Sequence, residues 1–352
     1  MPPPSAFLPD GVAGRIREVA GAAEKLGRLH PDMLALAYER QWFRALVPKR
    51  YGGQALPLPA MVRLEEGLSW ADGALGWTVT LCSGAGWFAG FFPLSSFPGL
   101  FGDPGMCLAG SGTASGRAEE VDGGYRVNGR WGYASGAAHA TAFTANCVLY
   151  KNGAPRMEGG GGDGLAQVET GGSPLVRPFL FLREEVNVDN DWNAVGLVAT
   201  GSHGFSVSEL FVPAERAFLI AAEAATDDDP LYQYPFLPLA EATLAANSSG
   251  LARHFLDCCA EMGVGDALLR VSRQELEEKR RIFYVTLDAS WEQGGGGLRE
   301  GVSRASRDLA AAALYWVDKL YPQAGLGAAR VDSEINRVWR DVHTASQHPL
   351  LR

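Results

Sequence analysis

The amino-acid sequence predicts an α+β protein of several domains, in which a helical segment, a β-sheet segment and a second helical segment follow one another. Apolar residues recur with the period of a helix, change to short β-branched and aromatic runs between glycine-rich turns, and then return to the helical period. A chain of 352 residues is also longer than one hydrophobic core usually serves. We expect an N-terminal α-helical domain over residues 1–105, a central antiparallel β-barrel or sheet domain over 106–222, and a C-terminal four-helix bundle over 223–352.

Helical spacing dominates the first hundred residues. An apolar stripe from Ile16 to Leu26 predicts a first helix, and a second begins at Pro31 and ends before Pro48. Residues 74–94 carry no charge and are about as long as a membrane span. Their Gly, Ser and Thr content and the lack of flanking basic residues favour a helix buried inside protein instead. We therefore expect no membrane span.

The middle of the chain is predicted to form a sheet, and its last third is predicted to form a helical bundle. A glycine-rich stretch over 156–173 predicts a surface hairpin loop, and four glycines at 294–297 interrupt the long helical segments that follow residue 226. The predicted strands include residues 123–131, 142–150, 174–182 and 204–212.

Composition excludes several classes of partner. The formal charge of −9 and the pI near 5.3, without a block of Lys or Arg, argue against binding to nucleic acid. Five cysteines without a CxxC pair predict neither a disulfide framework nor a metal site. The N-terminus lacks the basic start and apolar run of a signal peptide, so we expect a cytoplasmic protein.

The common catalytic motifs are missing from the sequence. Residues 110–116, GSGTASG, have the wrong spacing for a dinucleotide-binding fingerprint and lack its parallel βαβ context. No G-x-S-x-G, Walker lysine loop or H-E-x-x-H occurs. These absences argue against a hydrolase, a nucleoside triphosphatase and a zinc protease.

Four segments in a fixed order carry a family resemblance. Residues 115–136, SGRAEEVDGGYRVNGRWGYASG, resemble the central strands of the acyl-CoA dehydrogenase superfamily, particularly its flavin-dependent monooxygenase branch. Residues 47–77, 189–216 and 335–351 agree with the same pattern in the same order. The resemblance spans about residues 30–351.

This resemblance implies a flavin, either FAD or FMN, between the β-domain and the C-terminal helices of a homo-oligomer of four or two subunits. A flavin ring needs apolar walls and a few hydrogen-bonding groups at its edge. In one segment Trp131 and Tyr133 match the walls of the ring, and Ser135 with the Gly136 backbone matches its polar contact. A second segment supplies Thr200, Gly201 and Ser202, of which Thr200 and Ser202 match positions that contact the ring or the substrate.

The dehydrogenase branch requires a catalytic base that the expected position lacks. In that branch a glutamate follows an Arg-Asp pair by about two helical turns, and it removes a proton from the substrate. Here Arg340-Asp341 is followed by no acidic residue. A displaced base remains an alternative, with Glu241 and Glu261 as the nearest candidates.

The monooxygenase branch carries a histidine on this last helix, and the sequence supplies His343 and His348. We expect His348 and Ser135 to be catalytic, and His343 and Trp87 to line the substrate pocket. The resemblance implies reduced flavin from a separate reductase, O2, a C4a-hydroperoxide kept from water, and a small aromatic or heterocyclic substrate. A non-catalytic flavin-binding or assembly protein of the same fold is the third interpretation.

Overall fold

The computed structural model describes residues 1–92, 98–157, 172–294 and 298–352. It confirms the predicted order of helices, sheet and helices. The predicted hairpin loop falls largely outside the described residues, as do three of the four glycines at 294–297. The helices of the described ranges are α1 (Val12–Leu26), α2 (Pro31–Glu39), α3 (Leu58–Ala71), α4 (Gly73–Trp87), α5 (Pro98–Gly102), α6 (Pro230–Gln233), α7 (Phe236–Glu261), α8 (Asp266–Glu292), α9 (Arg299–Leu320) and α10 (Glu334–Ala345).

Helix α4 is the buried helix expected within residues 74–94. The Asp72 carboxylate caps its first turn by accepting a hydrogen bond from the Leu75 amide at 2.8 Å. Nearly every side chain of the helix is buried, on all of its faces, as in a helix enclosed by protein. Among the described residues no helix is both long enough and apolar enough to cross a bilayer.

The sheet is antiparallel except for one pair of strands. Along its main path the strand order is β4-β3-β1-β2-β7-β6, and β5 pairs with β3. Strands β1 and β3 run parallel, because the chain leaves the β1–β2 hairpin through the turn at 135–141 and enters β3 on the other side of β1. The strands are β1 (Leu108–Val121), β2 (Gly124–Ala134), β3 (Ala142–Lys151), β4 (Ala154–Pro155), β5 (Val176–Leu182), β6 (Asn187–Val188) and β7 (His203–Pro213).

The helices before and after the sheet share one hydrophobic core. The largest cluster of buried apolar residues runs from Leu8 to Leu309 and includes side chains of α1, α3, α4, α7, α8 and α9. Helices α3 and α7 approach so closely that a Cβ on Gly250 would lie 2.3 Å from the Glu66 carbonyl oxygen. The division into domains at 105 and 222 stays a prediction.

Candidate functional site

A chain of three hydroxyl groups joins the turn after β2 to the loop before β7. The Ser135 and Ser202 Oγ atoms are 2.8 Å apart, and Ser202 Oγ is 2.7 Å from Thr200 Oγ1. Thr200 in turn donates to the Leu197 carbonyl oxygen at 2.7 Å. All three hydroxyl-bearing residues are buried. The structure therefore brings together the hydroxyls that the sequence analysis had matched to two separate segments.

Two glycines allow this approach by adopting left-handed backbone conformations. Gly136 has φ of 80° and Gly201 has φ of 52°. The Gly136 amide donates to the Thr200 carbonyl at 2.9 Å, and its own carbonyl accepts from the amides of His139 and Ala140. Both backbone groups of Gly136 are thus engaged inside the protein, so this residue connects the two segments instead of offering the free polar contact expected from the sequence.

The side chains of Trp131 and Tyr133 point to opposite faces of the sheet, although residues two apart on a regular strand share a face. The pairing of β2 with β7 shifts by one residue between Trp131 and Ala134, and Tyr133 has φ of 65°. This β-bulge turns Tyr133 outward, where 76% of it is exposed. Trp131 points into the sheet core, stacks on Phe205 and donates to the Asn146 carbonyl. It is buried, so of the two expected walls only Tyr133 presents an open ring.

Trp192, which the sequence analysis did not single out, lies beside the hydroxyl-bearing loop. Its ring meets Tyr133 edge-on, with centroids 6.3 Å apart, and its indole N–H donates to the Leu197 carbonyl at 3.1 Å. Its backbone amide donates to Nδ1 of His203 at 2.9 Å. An indole held beside the hydroxyl-bearing loop extends the aromatic surface that Tyr133 begins.

Helix α10 docks directly on this loop. A Cβ on Gly196 would lie 2.1 Å from the Arg340 carbonyl oxygen, so only glycine permits the contact. The Asp341 carboxylate accepts a hydrogen bond from the Leu197 amide. Burial, with a smaller contribution from Asp72, raises the pKa of Asp341 to about 7. The Arg-Asp pair therefore positions the loop that carries Thr200.

His348 lies beyond the end of α10 and packs against α4. Its ring is 5.9 Å from that of Trp77, and its Nδ1 accepts a hydrogen bond from the Leu350 amide at 3.4 Å. Burial lowers the pKa of His348, which favours the neutral imidazole at neutral pH. On the same helix, the Cys82 thiol donates to the Ser135 carbonyl at 3.4 Å. Helix α4 thus contacts both predicted catalytic residues.

His343 and Trp87 lie in other surroundings. His343 packs on Trp339 with ring centroids 4.5 Å apart, and its Nε2 is 2.9 Å from a carboxylate oxygen of Asp318 on α9. Trp87 is buried among aromatic side chains and donates to the Leu231 carbonyl at 3.0 Å. Their expected place in a substrate pocket receives no support from these contacts.

The two candidate bases of a dehydrogenase are also separate from the hydroxyl chain. The Glu241 carboxylate accepts from Ser303 and from Arg307, both on α9. Glu261 is exposed at the C-terminal end of α7. The Glu241 carboxylate is thus already engaged by side chains of α9.

Comparison with known proteins identifies flavin-dependent relatives along most of the chain. Residues 272–352 match the family described as acyl-CoA dehydrogenase, C-terminal domain. The flavin-dependent monooxygenase oxygenase subunit HsaA of Rhodococcus jostii is 27% identical, covering 96% of this chain and 92% of that protein. An indole-3-acetate monooxygenase of Pseudomonas putida is 29% identical, with coverage of 81% and 72%. A pigment production hydroxylase of a Rhodococcus species is 31% identical, with coverage of 87% and 82%.

Solved structures have the same fold. The structure of XiaF from a Streptomyces species, in complex with FADH2 and glycerol, superposes with a TM-score of 0.84. It is 20% identical in sequence, and the match covers 97% of this chain and 89% of that one. The arrangement of helices and sheet is therefore one that solved proteins share.

Proposed function

Since the chain belongs to the flavin-dependent monooxygenase branch of the acyl-CoA dehydrogenase superfamily, we propose that it is an oxygenase component that hydroxylates a small aromatic or heterocyclic compound. Its electrons come from reduced flavin, made by a separate reductase, and its oxygen from O2. The names of the relatives support this proposal: one is an oxygenase subunit and another acts on indole-3-acetate. XiaF was solved with FADH2, which supports a reduced flavin as the bound form.

The direction of the hydroxyl chain is the observation that carries the proposal. Each hydroxyl has one proton to donate, and Thr200 gives its proton to the Leu197 carbonyl. Ser202 must then donate to Thr200, and Ser135 must donate to Ser202. Ser135 Oγ keeps free lone pairs and has no spare proton. It fits the ring N–H of a reduced flavin, because that group is a hydrogen-bond donor.

The aromatic side chains beside the three hydroxyl groups form a surface that suits a flat ring. Tyr133 is held outward by a backbone conformation that is strained for a residue with a side chain, and Trp192 meets it edge-on. We propose that Tyr133 and Trp192 form the apolar wall of the flavin site. Ser135, Thr200 and Ser202 supply its polar edge, and Gly136 and Gly201 shape the backbone around them.

When bound, the reduced flavin supplies two electrons to O2, and the chain's own residues position the substrate and its protons. With Nδ1 of His348 accepting from Leu350, a neutral ring carries its proton on Nε2. We propose that this Nε2–H donates a hydrogen bond to an oxygen atom in the pocket. The buried length of α4, including Trp77, keeps water away from that proton.

We further propose that the active protein is a homo-oligomer, either a tetramer or a dimer, in a reducing cytoplasm. Arg340 donates to the carbonyls of Val195 and Val331, whose side chains are 66% and 75% exposed. Leu326, on the segment that precedes α10, is 89% exposed. Exposed apolar side chains favour a subunit contact where they form one patch, and Arg340 connects the segments of Val195 and Val331. The five cysteines are free thiols, as in reducing compartments.

Isotope labelling tests the proposed activity. The protein is mixed anaerobically with reduced FAD or FMN and a panel of phenols and indoles, and then exposed to ¹⁸O2. We expect at least one hydroxylated product that carries a single ¹⁸O atom. A Ser135→Ala variant should form less of it than a Ser115→Ala control, because Ser115 is exposed and donates to the Arg130 carbonyl. Release of hydrogen peroxide alone with every compound would count against a monooxygenase. Bleaching of bound oxidised FAD by an acyl-CoA would support a dehydrogenase instead.

A further inference from the structure

Two cysteines and a histidine from distant parts of the chain meet beside the Ser135 turn. Cys82 lies on α4, Cys107 directly precedes β1, and His139 lies in the turn between β2 and β3. The two sulfur atoms and a ring nitrogen all lie within 4.8 Å of one another. Both thiols are fully buried and form no disulfide.

The His139 ring has an unused nitrogen facing this cluster. Its Nε2 is buried and has no hydrogen-bond partner among the described residues. Phe43 packs against the ring, with the two ring centroids 5.2 Å apart. Buried ring nitrogens are normally paired with a protein group, water or a metal ion. A Cβ on Gly136 would lie 2.6 Å from Cys82 Sγ and 3.2 Å from His139 Nε2, so the turn is folded tightly onto both potential ligands.

We propose that Cys82, Cys107 and His139 bind a thiophilic divalent cation, and that Zn²⁺ is the ion that fits them best. Two thiolates and one imidazole are among the common ligand sets of zinc, with a fourth position left for another ligand. The two negative thiolates balance the charge of the cation. A neutral complex is far less costly to bury than an isolated ion.

The local electrostatics agree with a metal-binding thiolate. The Cys107 thiol, together with His139, lowers the pKa of Cys82 against the opposing effect of burial. Burial and the neighbouring Cys82 raise the pKa of Cys107. Binding of the cation would release the thiol protons of Cys82 and Cys107, as metal binding to thiols does in general.

A second cluster, formed by His254, Cys258 and Glu334, is a poorer site. It has one sulfur, and Glu334 is exposed and already hydrogen-bonded to Nε2 of His254 at 2.9 Å. A single thiolate and an engaged carboxylate suit zinc less well than two free thiols. Cys258 therefore provides a matched control, since it is also a buried cysteine within a candidate cluster.

The proposed ion would lie directly behind the turn that carries Ser135. The Cys82 thiol donates to the Ser135 carbonyl in the metal-free protein, so deprotonation of Cys82 on metal binding would release this hydrogen bond and change how the turn is held. This consequence for the flavin site rests on the proposed function. Metal binding itself does not, and it is measured without flavin, so the failure of one proposal is distinguishable from the failure of the other.

The test uses Co²⁺ as a spectroscopic probe and Zn²⁺ as its competitor. Reduced, chelator-stripped protein is titrated with Co²⁺, and we expect one equivalent to produce a sulfur-to-cobalt charge-transfer band that Zn²⁺ then abolishes. Zn²⁺ should also raise the thermal unfolding temperature, because it binds the folded state. Cys82→Ser and Cys107→Ser should each abolish the band and weaken Zn²⁺ binding by about a hundredfold or more. Cys258→Ser should leave the charge-transfer band and the Zn²⁺ affinity unchanged.

Several results would overturn the proposal. These are a wild-type protein without the band, a folded Cys82→Ser variant that retains it, and a Cys258→Ser variant that loses it. Should both buried cysteine variants fail to fold, His139→Gln decides, because His139 is only partly buried. Unchanged Zn²⁺ affinity in His139→Gln would contradict the site, and a loss of about a hundredfold would support it.

Discussion

His348 combines a defined tautomer with a lowered pKa. Its Nδ1 accepts a hydrogen bond from the Leu350 amide, so the neutral ring presents Nε2–H, and burial keeps the ring neutral at physiological pH. Trp77 fixes the position of the ring on one side. A histidine held in this way acts as a directional hydrogen-bond donor.

His348→Ala should reduce coupled hydroxylation by about ten- to ten-thousand-fold, the usual range for a positioned acid or base. His348→Gln should recover part of the loss, because the Gln amide places an N–H near the position of Nε2. Product yield per reduced flavin is measured together with flavin affinity, which should change much less. His343→Ala is the control, since His343 packs on Trp339 instead. An unaltered yield in His348→Ala would show that the assigned role is wrong.

Asp341 makes stability depend on pH. Its pKa rises from 3.8 to about 7 on folding, because burial and Asp72 disfavour the ionised form. The folded protein thus binds this proton more tightly than the unfolded chain does. The resulting stabilisation is complete below about pH 4 and is lost as the pH rises towards 7.

Asp341→Asn should remove this dependence while its side-chain oxygen still accepts from Leu197. Between about pH 4 and pH 8, the wild type should lose up to about 4 kcal/mol more of its unfolding free energy than the variant does. Urea unfolding at a series of pH values provides the measurement, and the exposed Asp122→Asn is the control. Parallel curves for Asp341→Asn and the wild type would contradict this role.

At the scale of elements, close backbone contacts decide how the helices pack. Gly250 on α7 meets the backbone of α3, where a Cβ would be 2.3 Å from the Glu66 carbonyl and 2.8 Å from the Ser69 Cβ. The backbone carbonyl cannot move aside without shifting the helix. The added methyl group therefore forces α3 and α7 apart.

Gly250→Ala should destabilise the protein by about 1–3 kcal/mol, the usual cost of overpacking a core. Gly14→Ala on the exposed face of α1, where nothing lies within 4 Å, should instead stabilise it by about 0.5–1 kcal/mol. Thermal or urea unfolding of both variants compares the same chemical change in two surroundings. Equal effects of the two substitutions would argue against a tight contact between α3 and α7.

For the whole molecule, a buried ion pair connects the first helical segment to the last. Arg280 on α8 donates from Nε and Nη2 to the two carboxylate oxygens of Glu66 on α3, each at 2.7 Å. The hydroxyls of Tyr284 and Ser249 also donate to Glu66, so its charge is fully compensated. Removing one partner would leave the other charge buried and unpaired.

Glu66→Gln should cost about 3–5 kcal/mol of unfolding free energy, as expected when a buried pair is broken. Asp288→Asn weakens the partly buried pair with Arg63, which joins the same two helices, and should cost less, about 1 kcal/mol. Denaturant unfolding followed by circular dichroism measures both. If the two variants lost similar stability, the buried network would not be what holds the segments together.

The extent to which the site was predictable differs among its residues. Ser135, Thr200 and Ser202 were matched to flavin-contacting positions through the family resemblance of their segments, and the structure joins their hydroxyls by hydrogen bonds. Their contact with a flavin stays a prediction. The sequence could not show that Trp131 is buried and Tyr133 exposed, because a one-residue bulge reverses the face on which a side chain lies. Gly132, between the two residues, is the local signal for a bulge, but a glycine within a strand does not by itself fix the register.

The sequence by itself determined the order of helices, sheet and helices, because periodicity and turn residues act over a few neighbours along the chain. The resemblance of four segments indicated the family and the hydroxyl-bearing positions. Only the tertiary structure decided that His348 packs on Trp77 while His343 packs elsewhere, and that Cys82, Cys107 and His139 converge. Such contacts join residues that are far apart in the chain. They depend on how whole elements pack, and the local spacing of residues does not determine that packing.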